Sequence, residues 1–219
     1  MKTSERLYES VKETWTGYFE HPFVKGIGDG TLDIDKFKFY MVQDHLYLLQ
    51  YAKVFAMGIV KAEKESDMRL LVEMVDEILN TENAVHQSYL RSLGISREEL
   101  SSANMSLVNV SYADYMISVA LKEGLAEIMT AVLACSWSYQ VIGDHMKTIP
   151  GSENHEFYGY WIKSYSSKEY SDSNDVVIDM VDRLTADYTE KQLLNLEKII
   201  IDCSRYEQMF WDMAWNREM

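Results

Sequence analysis

Proline is nearly missing from this chain, with two in 219 residues, and cysteine is equally scarce. So few prolines leave long stretches free of the residue that most strongly breaks a helix. Two cysteines, Cys135 and Cys203, cannot build a disulfide framework, and their wide separation fits no zinc motif. Each is therefore read as a free thiol. No window holds about eighteen uninterrupted apolar residues, so no transmembrane helix is expected. The opening residues MKTSERLYES lack the apolar core of a signal peptide, and a cytoplasmic location is the expectation. Positive charge is also in short supply: 21 Lys and Arg stand against 35 Asp and Glu, a net charge of −14. Without a basic stripe the chain cannot displace counterions from phosphate, which argues against nucleic acid as a partner. Its acidity suits neutral or cationic small molecules, or simply keeps the protein in solution.

What the chain does contain is helical periodicity. It is 47% hydrophobic and long enough to bury a core as a single domain over residues 1–219. Ser4 is placed to cap a first helix whose apolar stripe is Leu7, Val11, Trp15 and Tyr18. Pro22 and the glycines at 26, 28 and 30 predict a break. Asp33 or Asp35 then opens a long helix to about Glu63, and Ser66 opens another that ends before Gly94. Residues 95–110 read as a short helix and a loop. Ser111 starts the next helix, Gly124 separates it from a long apolar one that stops at Pro150-Gly151, and a shorter helix covers HEFYGYWIKSY. After a serine-rich turn comes SNDVVIDMVDRLTADY, and Thr189 with Gln192 forms a capping-box pattern before the last helix. About eight helices in one bundle are predicted, with no alternating strands.

Several residues carry possible chemistry. Asp44 lies in a strongly apolar helix with Tyr47 and Tyr51 on the same face. A carboxylate there is costly unless paired. It either grips an amino-pyrimidine edge with two parallel hydrogen bonds or serves as a structural anchor. Cys135 and Tyr139 are one turn apart in a helix of mostly small and apolar residues, where a cysteine is a small hydrophobe or a nucleophile. Its mid-helix place denies it the N-terminal dipole, so activation has to come from a neighbouring acceptor. Cys203 has no comparable companion and is expected to be inert. Glu207 stands near Phe210 and Trp211 close to the end of the chain, either solvated or set beside an aromatic site. Tyr112 and Tyr165 belong to an excess of 15 tyrosines over 7 phenylalanines. Tyrosine buries a large apolar body and keeps a hydroxyl for orientation. Metal chemistry finds little: Glu82 and His86 are four apart with no second copy, and His21 is a lone candidate for haem. The phosphate loop, the dinucleotide fingerprint, GxSxG and HExxH are all missing.

The order of these residues is more specific than any one of them. Asp44-His-Leu-Tyr47, Tyr112, Cys135-x-x-x-Tyr139, Trp161-Ile-x-x-Tyr165 and Glu207-x-x-Phe210-Trp211 together resemble the signature of the thiaminase II (TenA) family, from the second helix to the last. The resemblance implies an all-α, single-domain helical bundle of the haem-oxygenase-like type, without a cofactor and commonly a homotetramer. Cys135 is similar to the nucleophile of the branch that hydrolyses 4-amino-5-aminomethyl-2-methylpyrimidine in thiamin salvage and also cleaves thiamin. It further implies that Asp44 clamps and activates the ring, Cys135 adds to it and Glu207 acts as general acid. Tyr112, Tyr139 and Tyr165 would orient the ring, while Tyr47 and Phe210 pack on it. His45 stands where that family carries an aromatic such as tyrosine, and it is expected to point off the Asp44 face. Two other readings remain on the same scaffold: a metal- or haem-dependent oxidase, and a non-catalytic pyrimidine-binding or regulatory protein.

Overall fold

The stripe of Leu7, Val11 and Trp15 is the buried face of the first helix, α1 (Thr3–Gly17), as its spacing predicts, and Tyr18 follows it into the core. The helix starts a turn's fraction earlier than expected, with Lys2 at the cap position. Ser4 is engaged elsewhere: its backbone N–H and its hydroxyl donate to the carboxylate of Asp182 at 2.7 and 2.8 Å. A residue that looked like a local cap is thus used for a long-range tie.

The computed structural model describes residues 1–82 and 89–219, without the side chains of 81, 82 and 97. Among the described residues all regular structure is helical. After α1 and a 3-10 turn at Tyr18–Glu20 come α2 (Pro22–Asp29), α3 (Ile34–Lys61) and α4 (Glu65–Asp76), which widens into a π turn at Glu77–Glu82. Then follow α5 (Arg97–Ser102), α6 (Leu107–Lys122), α7 (Leu125–Lys147), α8 (Gly159–Tyr165), α9 (Lys168–Leu184) and α10 (Glu190–Asn216). These are ten, beside the helical residues 89–92, against about eight expected. The main addition is α2, in the segment read as a break. Pro22 occupies its first turn, where no N–H is needed, and the Nδ1 of His21 accepts from the Phe23 N–H at 3.2 Å. Gly30 ends α2 at φ 71°, where a Cβ would also lie 2.6 Å from the His155 ring.

Caps explain the other boundaries. Helix α6 begins before Ser111 because Ser106 is the cap, its hydroxyl accepting from the Asn109 N–H at 3.1 Å. At α10 half of the capping pattern is made: the Thr189 N–H donates to Gln192 Oε1 at 3.0 Å. Helix α7 is long and apolar enough to cross a membrane, yet 72% of its most apolar window is buried inside the protein, as in a core helix.

The chain divides into two units. The first comprises 1–33 and 129–212, the second 34–128 and 213–219, so two of the divisions fall inside α7 and α10. In the first unit Trp15 donates through Nε1 to the Ser204 hydroxyl at 2.9 Å and packs edge-on against Trp137, with ring centroids 5.5 Å apart. Arg6 joins α1 to α10 through Glu190 and Glu197. In the second unit α3 packs on α4 and α6. Gly58 meets Leu71 and Leu125 at ordinary contact distance, and the Lys36 ammonium sits 3.2 Å from the centre of the Trp215 ring.

Candidate active site

In the first unit, helix α7 presents Cys135, Tyr139 and Gly143 at steps of four residues, along one face. Cys135 is half-buried, whereas Cys203 on α10 is fully buried. Burial pushes the Cys203 thiol well above its ordinary value, and the negative charges of Glu207 and Asp202 push it the same way. Cys203 is therefore held protonated in the interior, and Cys135 is the more exposed of the two thiols.

Around Tyr139 the aromatic rings close in. Its centroid is 4.9 Å from Tyr165, 5.8 Å from Trp161 and 5.1 Å from Trp211, and Trp161 is 4.6 Å from Tyr165. Glu207 lies one turn before Trp211 on α10 and is only 2% exposed, with Phe210 buried beside it in sequence. A carboxylate so deeply buried among aromatics is not a solvated terminal residue.

Tyr18, read from sequence only as the end of an apolar stripe, belongs to this neighbourhood. Its hydroxyl donates to the Ser204 carbonyl at 2.5 Å. Burial drives its phenol far above the ordinary range, and the charge of Glu207 adds to this, with smaller contributions from Cys135 and Cys203. The hydrogen bond to Ser204 acts in the opposite direction. Tyr18 is thus a fixed, protonated donor near both Glu207 and Cys135. A tyrosine closing an apolar helical stripe was the available signal, and nothing local marked it further.

Gly143 was the other residue that sequence could not single out. A Cβ there would lie 2.7 Å from the Tyr165 carbonyl carbon and 2.9 Å from the Ser166 nitrogen. Those are backbone atoms, so they cannot step aside as a side-chain tip would. The missing side chain is what lets the end of α8 rest on α7 and set Tyr165 against Tyr139. We expect Gly143→Ala to destabilise the protein by about 1–3 kcal/mol, the usual cost of overpacking. It should also raise KM for any ligand that the two tyrosines hold. Thermal denaturation with steady-state kinetics checks this, and an unchanged KM would detach Tyr165 from ligand binding.

The second unit holds Asp44, Tyr47 and Tyr112. Asp44 is 5% exposed within α3, and Tyr47 is likewise buried. The Tyr47 ring stacks on Tyr51 at 5.4 Å and on Tyr112 of α6 at 5.3 Å, and its hydroxyl approaches the Met116 sulfur at 3.6 Å. His45, expected on another face, is also buried.

The remaining sequence candidates fare differently. His21 has both ring nitrogens engaged, Nδ1 with the Phe23 N–H and Nε2 with Asp212 at 3.2 Å. Burial lowers its pKa, and Asp212 opposes that. The Glu82 and His86 side chains lie outside the described residues. Among the described residues no group of three His, Cys, Asp or Glu is placed to hold a metal ion.

Similarity to known proteins covers the whole chain. The model of the TENA/THI-4/PQQC family matches residues 8–217. An aminopyrimidine aminohydrolase of Helicobacter pylori is 45% identical over 216 residues, covering 99% of this chain and 100% of that protein. One from Halalkalibacterium halodurans is 41% identical over 219 residues, covering 100% and 98%. Among solved structures, a TenA homologue from P. horikoshii superposes with a TM-score of 0.91 at 30% identity, over 99% of both chains. Heme oxygenase-1 from the cyanobacterium Synechocystis gives a TM-score of 0.67 at 13% identity, over 99% of this chain and 94% of that one. That last likeness is one of fold alone. The fold class is all-helical and haem-oxygenase-like.

Proposed function

The chain belongs to the TENA/THI-4/PQQC family, and from that premise we propose that it hydrolyses 4-amino-5-aminomethyl-2-methylpyrimidine to the hydroxymethyl pyrimidine and ammonia. It is an enzyme of the hydrolase class and serves thiamin salvage. The observation that carries the chemistry is the half-buried Cys135 thiol, with Tyr18 in electrostatic reach of both Cys135 and the buried Glu207. Identity of 45% and 41% over essentially the full length of two proteins named aminopyrimidine aminohydrolase supports the substrate class.

Each step has an owner. The carboxylate of Asp44 accepts from the exocyclic amine and from the protonated ring nitrogen, which makes the unsubstituted ring carbon electrophilic. Cys135 gives its proton to Glu207, and the thiolate adds to that carbon, forming a C–S bond and breaking the aromaticity. Electrons pushed back from the ring expel the aminomethyl nitrogen, which leaves as ammonia with a proton from Glu207. Water then adds to the exposed methylene, giving its proton to Glu207. The C–S bond breaks, the thiolate departs and the ring regains its aromaticity. Tyr112, Tyr139 and Tyr165 orient the ring through their hydroxyls, and Tyr47 and Phe210 pack on its face. Thiamin enters the same sequence with its thiazole as the leaving group.

The purified protein should release ammonia from the aminomethyl pyrimidine with a higher kcat/KM than it shows for thiamin cleavage, and a chelator should leave the rate unchanged. Parallel steady-state assays of the two compounds check both points. Activity lost to the chelator and restored by iron or zinc would contradict the mechanism.

We place the protein in the cytoplasm as a homotetramer. Light scattering should therefore give about four times the 25.5 kDa of one chain, and a mass near 25.5 kDa would refute the assembly.

A further inference from the structure

We propose that Gln43 and Asn109 form a positioning clamp that holds Asp44 and the Tyr47–Tyr112 stack in ligand-binding register. This rests on the reading of Asp44 as the residue that grips the pyrimidine. Both side chains are polar and deeply buried in the second unit, Gln43 at 2% exposure and Asn109 at 0%. Neither is needed for chemistry, and each would be expensive to bury without a purpose.

Both hydrogen bonds between them run from the Asn109 amide to Gln43. Gln43 Oε1 accepts from the Ser106 N–H at 2.9 Å and from Asn109 Nδ2 at 2.9 Å. Gln43 Nε2 donates to the Asn104 carbonyl at 2.9 Å, so one side chain latches the entire start of α6. The same Asn109 Nδ2 also donates to the backbone carbonyl of Gln43 at 2.8 Å. The orientation of the Asn109 amide follows from this pattern. Turned over, its oxygen would face two acceptors.

The backbone contact is the important one. The Gln43 carbonyl is the acyl half of the peptide that leads into Asp44. By the helical i→i−4 pattern, the same carbonyl accepts the N–H of Tyr47. Asn109 therefore bonds to the one backbone group shared by both candidate ligand residues of α3. On its own helix, Asn109 lies one turn before Tyr112, whose ring stacks on Tyr47 at 5.3 Å. Loss of the clamp frees α3 to turn or slide against α6, moving Asp44 away from the ring edge it has to match. Misplacement by about 1 Å costs on the order of 10²-fold in a positioned site.

The test is a double-mutant cycle read by calorimetry with 4-amino-5-hydroxymethyl-2-methylpyrimidine and by kcat/KM for its aminomethyl precursor. Asn109→Ala in the otherwise native enzyme should weaken binding by about 10- to 100-fold. In an Asp44→Asn background the same change should cost less than about threefold, because the group it positions no longer grips the ligand. Gln43→Met keeps the side-chain volume and should reproduce the effect should Asn109→Ala fold poorly. A residue with only a structural role would lower the melting temperature and weaken binding equally in both backgrounds. Equal factors, or wild-type binding by both Asn109→Ala and Gln43→Met, would overturn the clamp. Asp44→Asn binding like wild type would instead remove the reading of Asp44 itself.

Discussion

Glu207→Gln should hold the product pyrimidine almost as tightly as the native enzyme while kcat falls by about 10²–10⁴-fold, the usual contribution of a positioned general acid. The substitution keeps the size of a side chain that is 2% exposed, so the surrounding aromatic packing has no reason to change. What it removes is the proton that the leaving amine requires and the acceptor that takes the proton of Cys135. Both losses fall on the chemical steps and neither falls on ring recognition. Cys135→Ser should behave in the same way, since the nucleophile adds only after the ring is bound. Product binding by calorimetry beside single-turnover kinetics separates these effects. A Glu207→Gln enzyme that turned over at the native rate would transfer the acid role to another residue.

Asp44→Asn should do the reverse. Asparagine presents one acceptor and one donor where the carboxylate offers two acceptors, so it cannot accept from both N–H groups of the ring-protonated form that the carboxylate selects, and its amide donor faces the protonated ring nitrogen. Breaking one partner of a buried charged hydrogen bond costs on the order of 2–5 kcal/mol. Binding of the product pyrimidine should weaken accordingly, and ring activation should fail with it. If Asp44→Asn bound the ligand like the native enzyme, the buried carboxylate of α3 would be a structural anchor, the alternative its surroundings leave open.

Much of the helical layout was legible, because periodicity and caps are local signals. The stripe of Leu7, Val11 and Trp15, the start of α10 at Thr189 and the stop at Pro150-Gly151 all appear as their residues predict. Where expectation and structure part, a distant partner or an ambiguous residue is responsible. Ser4 has the chemistry of a cap but is taken by Asp182, 178 residues away. Pro22 breaks a preceding helix and starts the next with equal ease, and His21 as its cap decides for the second. Ser111 and Ser106 are equivalent on paper until Ser106 caps Asn109 and meets Gln43.

The candidate site residues stood out only as an ordered series. Taken alone, Cys135 and Glu207 each had an ordinary explanation. Burial of Glu207 and the contrast between a half-buried Cys135 and a sealed Cys203 are three-dimensional facts with no local trace. Tyr18, Gly143 and the Gln43–Asn109 pair lay beyond reach for the same reason. Each acts through a contact far along the chain: Tyr18 with Ser204, Gly143 with the Tyr165 backbone, Asn109 with the Gln43 carbonyl.

The central claim is that this chain exchanges an amine for a hydroxyl on a pyrimidine by way of Cys135. The most direct measurement follows ammonia and 4-amino-5-hydroxymethyl-2-methylpyrimidine together during turnover of the aminomethyl compound, by native enzyme and by Cys135→Ser. The account predicts equimolar release of both products by the native enzyme, and almost none by a Cys135→Ser protein that still binds the product. Undiminished turnover by Cys135→Ser, or a native enzyme that binds the pyrimidine without releasing ammonia, would contradict it.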